Sequence, residues 1–281
     1  MARLGENRYG KSRVRLSRIT RQPDGRHDFD EWTVRLLLEG DFDASFTDAD
    51  NSSVLPTDTM KNTVYYIARN STADCLERFA MELGDHLMLH HDHVARVSVE
   101  VSSRAWERMV HDGKAEETTF KLGGPELQTV SAVLERGGDW QITSGIDQLT
   151  ILKTTKSAFT GYIRDKLTTL KPATDRIFGT CATVRWRCTA PAMNYNENRA
   201  RVQAALESTF AAHESMSVQH TLFDMGKAAL DAVPELARIS LTMPNLHHLL
   251  ADLTPFGLDN PNHVFVPIDE PHGYIEATVE R

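Results

Sequence analysis

Only three cysteines occur in the chain, Cys75, Cys181 and Cys188, and they are widely spaced with no Cys-x-x-Cys pair, which excludes a disulfide framework and a zinc knuckle. They read as buried thiols. No run approaches the roughly 20 apolar residues of a membrane-spanning helix, and the opening Met-Ala-Arg-Leu-Gly-Glu-Asn-Arg-Tyr-Gly lacks the apolar core of a signal peptide. A soluble, cytoplasmic protein with no membrane partner is expected. Basic clusters are missing as well: 31 Lys and Arg stand against 39 Asp and Glu, for a net charge of -8, whereas nucleic-acid binding rests on grouped cations. The chain has no Gly-x-Gly-x-x-Gly, no P-loop, no Gly-x-Ser-x-Gly elbow and no Cys-His nucleophile arrangement, so dinucleotide, nucleotide-triphosphatase and hydrolase readings have no anchor.

What is present is ordinary globular composition. With 281 residues, 41% of them hydrophobic and 25% charged, the chain is long enough for one large or two medium domains with a sizeable core. Val14 and Leu16 alternate with charged neighbours, a second apolar run covers 32–38, and Pro-Asp-Gly within 22–26 joins them as a hairpin. A helix is expected after Thr57 and another over 72–90, with Cys75, Leu76, Phe79, Ala80, Leu83 and Leu87 on one face. Val97, Val99 and Val101 alternate as a strand, and a further strand runs over 116–121 or 128–134. Gly137-Gly138-Asp139 breaks the pattern.

The second half repeats this order: strands near 140–154 and 177–189, helices over 195–213 and 217–232, then strands over 236–243 and near 273–280. Consecutive strands joined by short turns favour antiparallel sheets with helices on one face, which is α+β. The expected units are 1–138 and 139–281.

Several side chains invite chemical readings. Thr57 and Asp58 precede the apolar pattern of Met60, Val64, Ile67 and Ala68, where they read as helix caps or as part of a helix start that offers free N–H groups to an electron-rich ligand. His90-His91-Asp92-His93 has metal-ligand chemistry, but it falls between a helix and a strand with no third motif, and reads as a solvated turn. His247-His248 follows a strand closed by Pro244, in a loop position. Arg176 before a strand and Gln219 in a helix first turn supply a guanidinium fork and a primary amide, a pair suited to a planar heterocycle with carbonyl oxygens and ring nitrogens. Phe159 offers a stacking face or a piece of core.

In chain order, Tyr9-Gly10-Lys11, Thr57-Asp58-Thr59-Met60-Lys61-Asn62-Thr63, Phe159-x-Gly161-Tyr162-x-Arg164-Asp165, Thr168-Thr169-Leu170 with Asp175-Arg176, Val218-Gln219 and Pro244-Asn245-x-His247 resemble the urate oxidase (uricase) family, from Tyr9 to Ile275. The resemblance implies two tandem tunnelling-fold (T-fold) units, a homotetramer with sites at subunit interfaces, and a reaction that needs neither metal nor organic cofactor. It further implies oxidation of urate by O2 and water to 5-hydroxyisourate and hydrogen peroxide. Lys11, Thr57 and His247 would then form a proton relay, since a base is needed to make the electron-rich urate dianion. Arg176 and Gln219 would clamp the purine edge over Phe159. The backbone of Thr57, Asp58 and Val218 would reach other polar atoms, and Asn245 would hold O2 or water above the ring.

Three positions depart from the family pattern: Pro56, which stiffens the approach to Thr57, Thr160, and Leu246 between Asn245 and His247. The chain ends Thr-Val-Glu-Arg without a Ser-Lys-Leu type of peroxisomal address. Two other readings fit less of the chain. One is a pterin- or purine-nucleotide-processing T-fold enzyme, which would want zinc and basic phosphate ligands, and the other is a catalytically silent purine-binding protein.

Overall fold

The computed structural model describes residues 2–190 and 194–281. Two compact units emerge, one of Met1–Ile146 with Ala190–Asn196 and the other of Asp147–Thr189 with Glu197–Arg281.

In the first unit, β1 (Tyr9–Arg21) and β2 (His27–Gly40) form the hairpin, in antiparallel register from Tyr9↔Leu38 to Arg21↔His27. The turn closes with the Gln22 amide donating to the Arg26 carbonyl at 2.7 Å. Trp32, Val34, Leu36 and Leu38 alternate along β2 and are all buried, because successive side chains of a strand point to opposite faces. A short helix, α1 (Asp43–Thr47), leads to α2 (Thr57–Asn70) and α3 (Leu76–His90), followed by β3 (Val94–His111) and β4 (Lys114–Glu135). The sheet runs β1-β2-β3-β4, antiparallel throughout. Met60, Val64 and Ala68 of α2 and Phe79, Ala80, Leu83 and Leu87 of α3 seal its inner face with Val97, Val99 and Val101. Each large apolar side chain so covered contributes about 1.5–3 kcal/mol.

The second unit repeats the plan. Strand β5 (Gln141–Lys153) carries the chain into it, followed by β6 (Phe178–Cys188), α4 (Tyr195–Ala212), α5 (Val218–Ala232), β7 (Leu236–Leu250) and β8 (Phe265–Glu280). Strands β6, β7 and β8 are antiparallel neighbours. One glycine recurs at the same place in both units. Gly84 of α3 and Gly226 of α5 stand at equal distances from the helix starts at Leu76 and Val218. A Cβ on Gly84 would lie 2.3 Å from the Trp140 ring, and one on Gly226 would lie 2.6 Å from Val279 Cγ2. Each glycine thus leaves room for a side chain packed against its helix, the Trp140 indole at Gly84 and Val279 of β8 at Gly226.

Several local expectations need correction. Thr57 and Asp58 are not caps: Pro56 occupies the cap position, without a side-chain hydrogen bond, and the two residues form the first helical turn. Helix α3 begins at Leu76 rather than near 72, because the N-cap Cys75 is extended at φ -146. The strand expected over 116–121 or 128–134 is one long strand containing both. His247 and His248 are not in a loop but inside β7, which continues past Pro244. Proline is tolerated there because the β6–β7 ladder is interrupted opposite it: the pairing passes from Thr180↔Asn245 to Thr183↔Thr242 without Cys181 or Ala182. Of the cysteines only Cys75 is fully buried, and burial pushes its thiol up to about 12; Cys181 and Cys188 are half-buried.

Candidate functional site

A cavity of about 360 Å³ in the second unit is lined by Phe159, Arg176, Val218, Gln219, Asn245 and His247. The six second-half residues to which the family resemblance gives a site role thus face one space, of a size that suits a small-molecule ligand.

Each reaches it by a local rule. Val218 and Gln219 open α5, where Ser217 is the N-cap and its Oγ accepts from the His220 amide at 3.1 Å, so the first-turn N–H groups stand at the cavity wall. Asn245 and His247 are two apart on β7 and share a face by strand alternation. The β7–β8 register slips between them, from Asn245↔Gly273 to His247↔Ile268, and the extra residues of β8 include His272, whose charge acts on His247. Burial, then the Arg176 cation, then His272 hold the His247 pKa below the usual imidazole range.

Phe159 is pinned by backbone hydrogen bonds with Ala173, 2.7 and 3.1 Å. Its ring stacks on Tyr162 at 5.0 Å between centroids and 11° between planes, while the Arg176 guanidinium lies 5.4 Å from the same ring. Asp175 accepts from Thr155 Oγ1 at 2.7 Å and so fixes the chain just before Arg176. Burial lowers the Arg176 pKa, and its buried Nε has no hydrogen-bond partner among the described residues.

Lys11, Thr57 and Asp58 belong to the first unit. Lys11 lies on β1 beside a bulge, and its charge helps hold the Asp58 carboxyl below the usual carboxylate range, after the dominant hydrogen bond from Lys61. Among the described residues no hydrogen bond joins Lys11 to Thr57. The first unit also contains a larger, polar cavity of about 630 Å³, but its Arg18 is already engaged by Asp30 and the Ala73 carbonyl.

The two helix starts differ in one respect that bears on the site. Glu77 stands in α3 where Gln219 stands in α5, each second in its helix. Gln219 opens onto the cavity, whereas Glu77 is 0% exposed and accepts from Ser144 Oγ at 2.5 Å.

Lys171, which sequence reasoning missed, also lines the cavity, as does His248, read from the sequence only as half of a loop doublet; Tyr162 backs Phe159. The doublet His247-His248 was visible in the sequence; the cavity-facing position of Lys171 depends on the irregular segment between Phe159 and Arg176, which has no periodicity to read.

Fold and cavity together define a class: a protein of two repeated antiparallel α+β units, with an arginine, an amide, a helix start and an aromatic ring around one cavity. A family model described as Uricase matches residues 7–133 and 142–276. The uricase of Arthrobacter globiformis is 42% identical over 99% of this chain and 90% of its own length, and that of Dictyostelium discoideum is 36% identical over 100% and 98%. A crystal structure of the Arthrobacter globiformis uricase superposes with a TM-score of 0.93 at 39% identity, covering 100% of this chain and 96% of that one. The chain belongs to the uricase family. Its fold is accordingly two tunnelling-fold repeats, which urate oxidase structures from Bacillus sp. TB-90 share at a TM-score of 0.87.

Proposed function

We propose that this chain is a cytoplasmic, homotetrameric urate oxidase that converts urate, O2 and water to 5-hydroxyisourate and hydrogen peroxide without metal or organic cofactor. The carrying observation is the convergence of Phe159, Arg176, Val218, Gln219, Asn245 and His247 on one cavity. The reaction balances simply: urate loses two electrons to O2, which leaves as peroxide, and water supplies the new hydroxyl oxygen. The protein has to position a purine dianion and move protons.

In this reading Arg176 and Gln219 hold one edge of the purine, Phe159 lies beneath it, and Val218 contributes its amide. Asn245 holds O2 or water above the ring. Lys11 activates the Thr57 hydroxyl, and His247, kept neutral by burial and by Arg176, carries the hydrogen-bond path onward. Thr57 and Asp58 add backbone groups from the uncapped start of α2. The cavity lining comes from the second unit alone, while Lys11, Thr57 and Asp58 come from the first. A complete site in this proposal joins the second unit of one subunit to the first unit of another.

Two measurements test it. Chelator-treated protein mixed with urate in air should consume urate, followed by its ultraviolet absorbance, and release peroxide. Binding without turnover would indicate a silent purine-binding protein, and turnover only after metal addition a pterin-type T-fold enzyme. For the shared site, Lys11→Met and Arg176→Ala proteins, each nearly inactive, are denatured and refolded together. Verified mixed tetramers should regain activity; mixed tetramers as inactive as their parents would place the site within one chain.

A further inference from the structure

Three side chains at the junction of α4 and α5 have no part in the proposed chemistry. His213 follows α4 directly, and His220 and Asp224 are four apart on α5, a spacing that places both on one helix face. Asp224 Oδ2 lies 3.1 Å from His213 Nδ1 and 3.6 Å from His220 Nε2. One donor atom from each residue lies within 4.8 Å of the other two. In a regular tetrahedral zinc site, with bonds of about 2.0–2.1 Å, neighbouring donors stand about 3.3 Å apart. The two separations from Asp224 bracket that value.

We propose that His213, His220 and Asp224 bind one divalent first-row transition-metal ion of the zinc type. Two imidazoles and one carboxylate are a borderline donor set that favours Zn2+ over the hard cations Mg2+ and Ca2+. The backbone is already set for the purpose. The His213 amide donates to the Thr209 carbonyl at 2.9 Å, and the His220 amide is held by the Ser217 cap at 3.1 Å. The ion would tie the end of α4 to the first turns of α5. None of the three residues lines the cavity, so the ion is structural and takes no part in urate oxidation. Of the neighbouring cations, Lys227 is paired with Asp231, and Lys153 donates to the His213 carbonyl, which leaves the imidazole nitrogens to the metal.

The test uses the full-length protein stripped with chelator and titrated with ZnCl2 by calorimetry, with MgCl2 as a second titrant. Wild type should bind one Zn2+ per chain, with Mg2+ in excess failing to displace it. His220→Gln and Asp224→Asn should each weaken Zn2+ binding by at least about tenfold, and His91→Gln, in the separate histidine-rich turn, should leave it unchanged. His220 is exposed, so His220→Gln leaves the core intact, and its circular dichroism should match wild type. Cobalt substitution should give visible bands of nitrogen–oxygen ligation that are lost in His220→Gln. Absence of saturable binding, or equal Zn2+ affinity in wild type and His220→Gln, would overturn the proposal and leave the cluster a hydrogen-bonded triad.

Discussion

Replacing Arg176 with Gln separates a residue held for a ligand from one held for the fold. Its half-buried guanidinium rests 5.4 Å from the Phe159 ring, and its Nε is enclosed without a hydrogen-bond partner among the described residues. An unsatisfied buried donor costs about 1–3 kcal/mol, while the cation–π contact returns about 0.5–1 kcal/mol. The free protein should therefore lose nothing, and should gain slightly, when the guanidinium is removed. A bound purine anion reverses the balance, because a hydrogen bond to a charged group is worth about 1.5–3 kcal/mol. Loss of one such net bond corresponds to roughly 10- to 150-fold in Kd, at about 1.4 kcal/mol per tenfold. Calorimetry with a urate analogue that cannot be oxidised, beside thermal denaturation of the same samples, reads both quantities. Arg176→Gln is expected to bind the analogue 10- to 150-fold more weakly with an unchanged or higher Tm, and Arg176→Lys to behave similarly because it keeps the charge but not the fork. Unchanged affinity with a Tm several degrees lower would make Arg176 a structural residue and refute the clamp.

Lys11→Met and Thr57→Ala should each lower turnover by about 10²- to 10⁴-fold with analogue binding retained, and the double variant should be little worse than either; multiplying losses in steady-state kinetics would show two independent groups. Burial is the first cause of a depressed pKa at His86, His91, His213 and His247. The unfolded chain then takes up protons at about pH 6.5, before the folded chain does, so these groups cost nothing above that value and stability falls as pH drops through it. Thermal denaturation across this range should show the loss, and His247→Gln should lessen it; an equal loss in the variant would remove His247 from the account. Gly226→Ala would place a Cβ 2.6 Å from Val279 Cγ2, and overpacking of this kind costs about 1–3 kcal/mol, with Val279→Ala restoring part of it. A higher Tm for Gly226→Ala, as helix propensity alone would give, would contradict the close approach.

The repeated order of strands and helices was legible because burial on one face leaves its period in the sequence. Phe79, Ala80, Leu83 and Leu87 mark α3 by helical spacing, and Trp32, Val34, Leu36 and Leu38 mark β2 by alternation. Boundaries were less legible where backbone chemistry outweighs side-chain pattern. Pro56 displaced Thr57 from the cap position, and Pro244 suggested a strand end although β7 runs on to Leu250. Of the site, the polar residues Arg176, Gln219, Asn245 and His247 could be picked out by motif. Their meeting in one cavity could not, since Asn245 and Gln219 are joined only through the packing of α5 and β7. Lys171 and the stacked Tyr162 lie in a segment where hydrogen bonds rather than periodicity set the conformation.

The sealed carboxylate of Glu77 has a consequence for counting. A tandem repeat would ordinarily give two ligand positions per polypeptide, one at each second-helix start. Here one of the two is closed from within by Ser144, and only the copy carrying Gln219 keeps its amide at an open wall. Equilibrium titration with a purine should therefore saturate at one molecule per chain along a single hyperbola, and the occupancy of an assembly should equal its number of chains rather than its number of repeats.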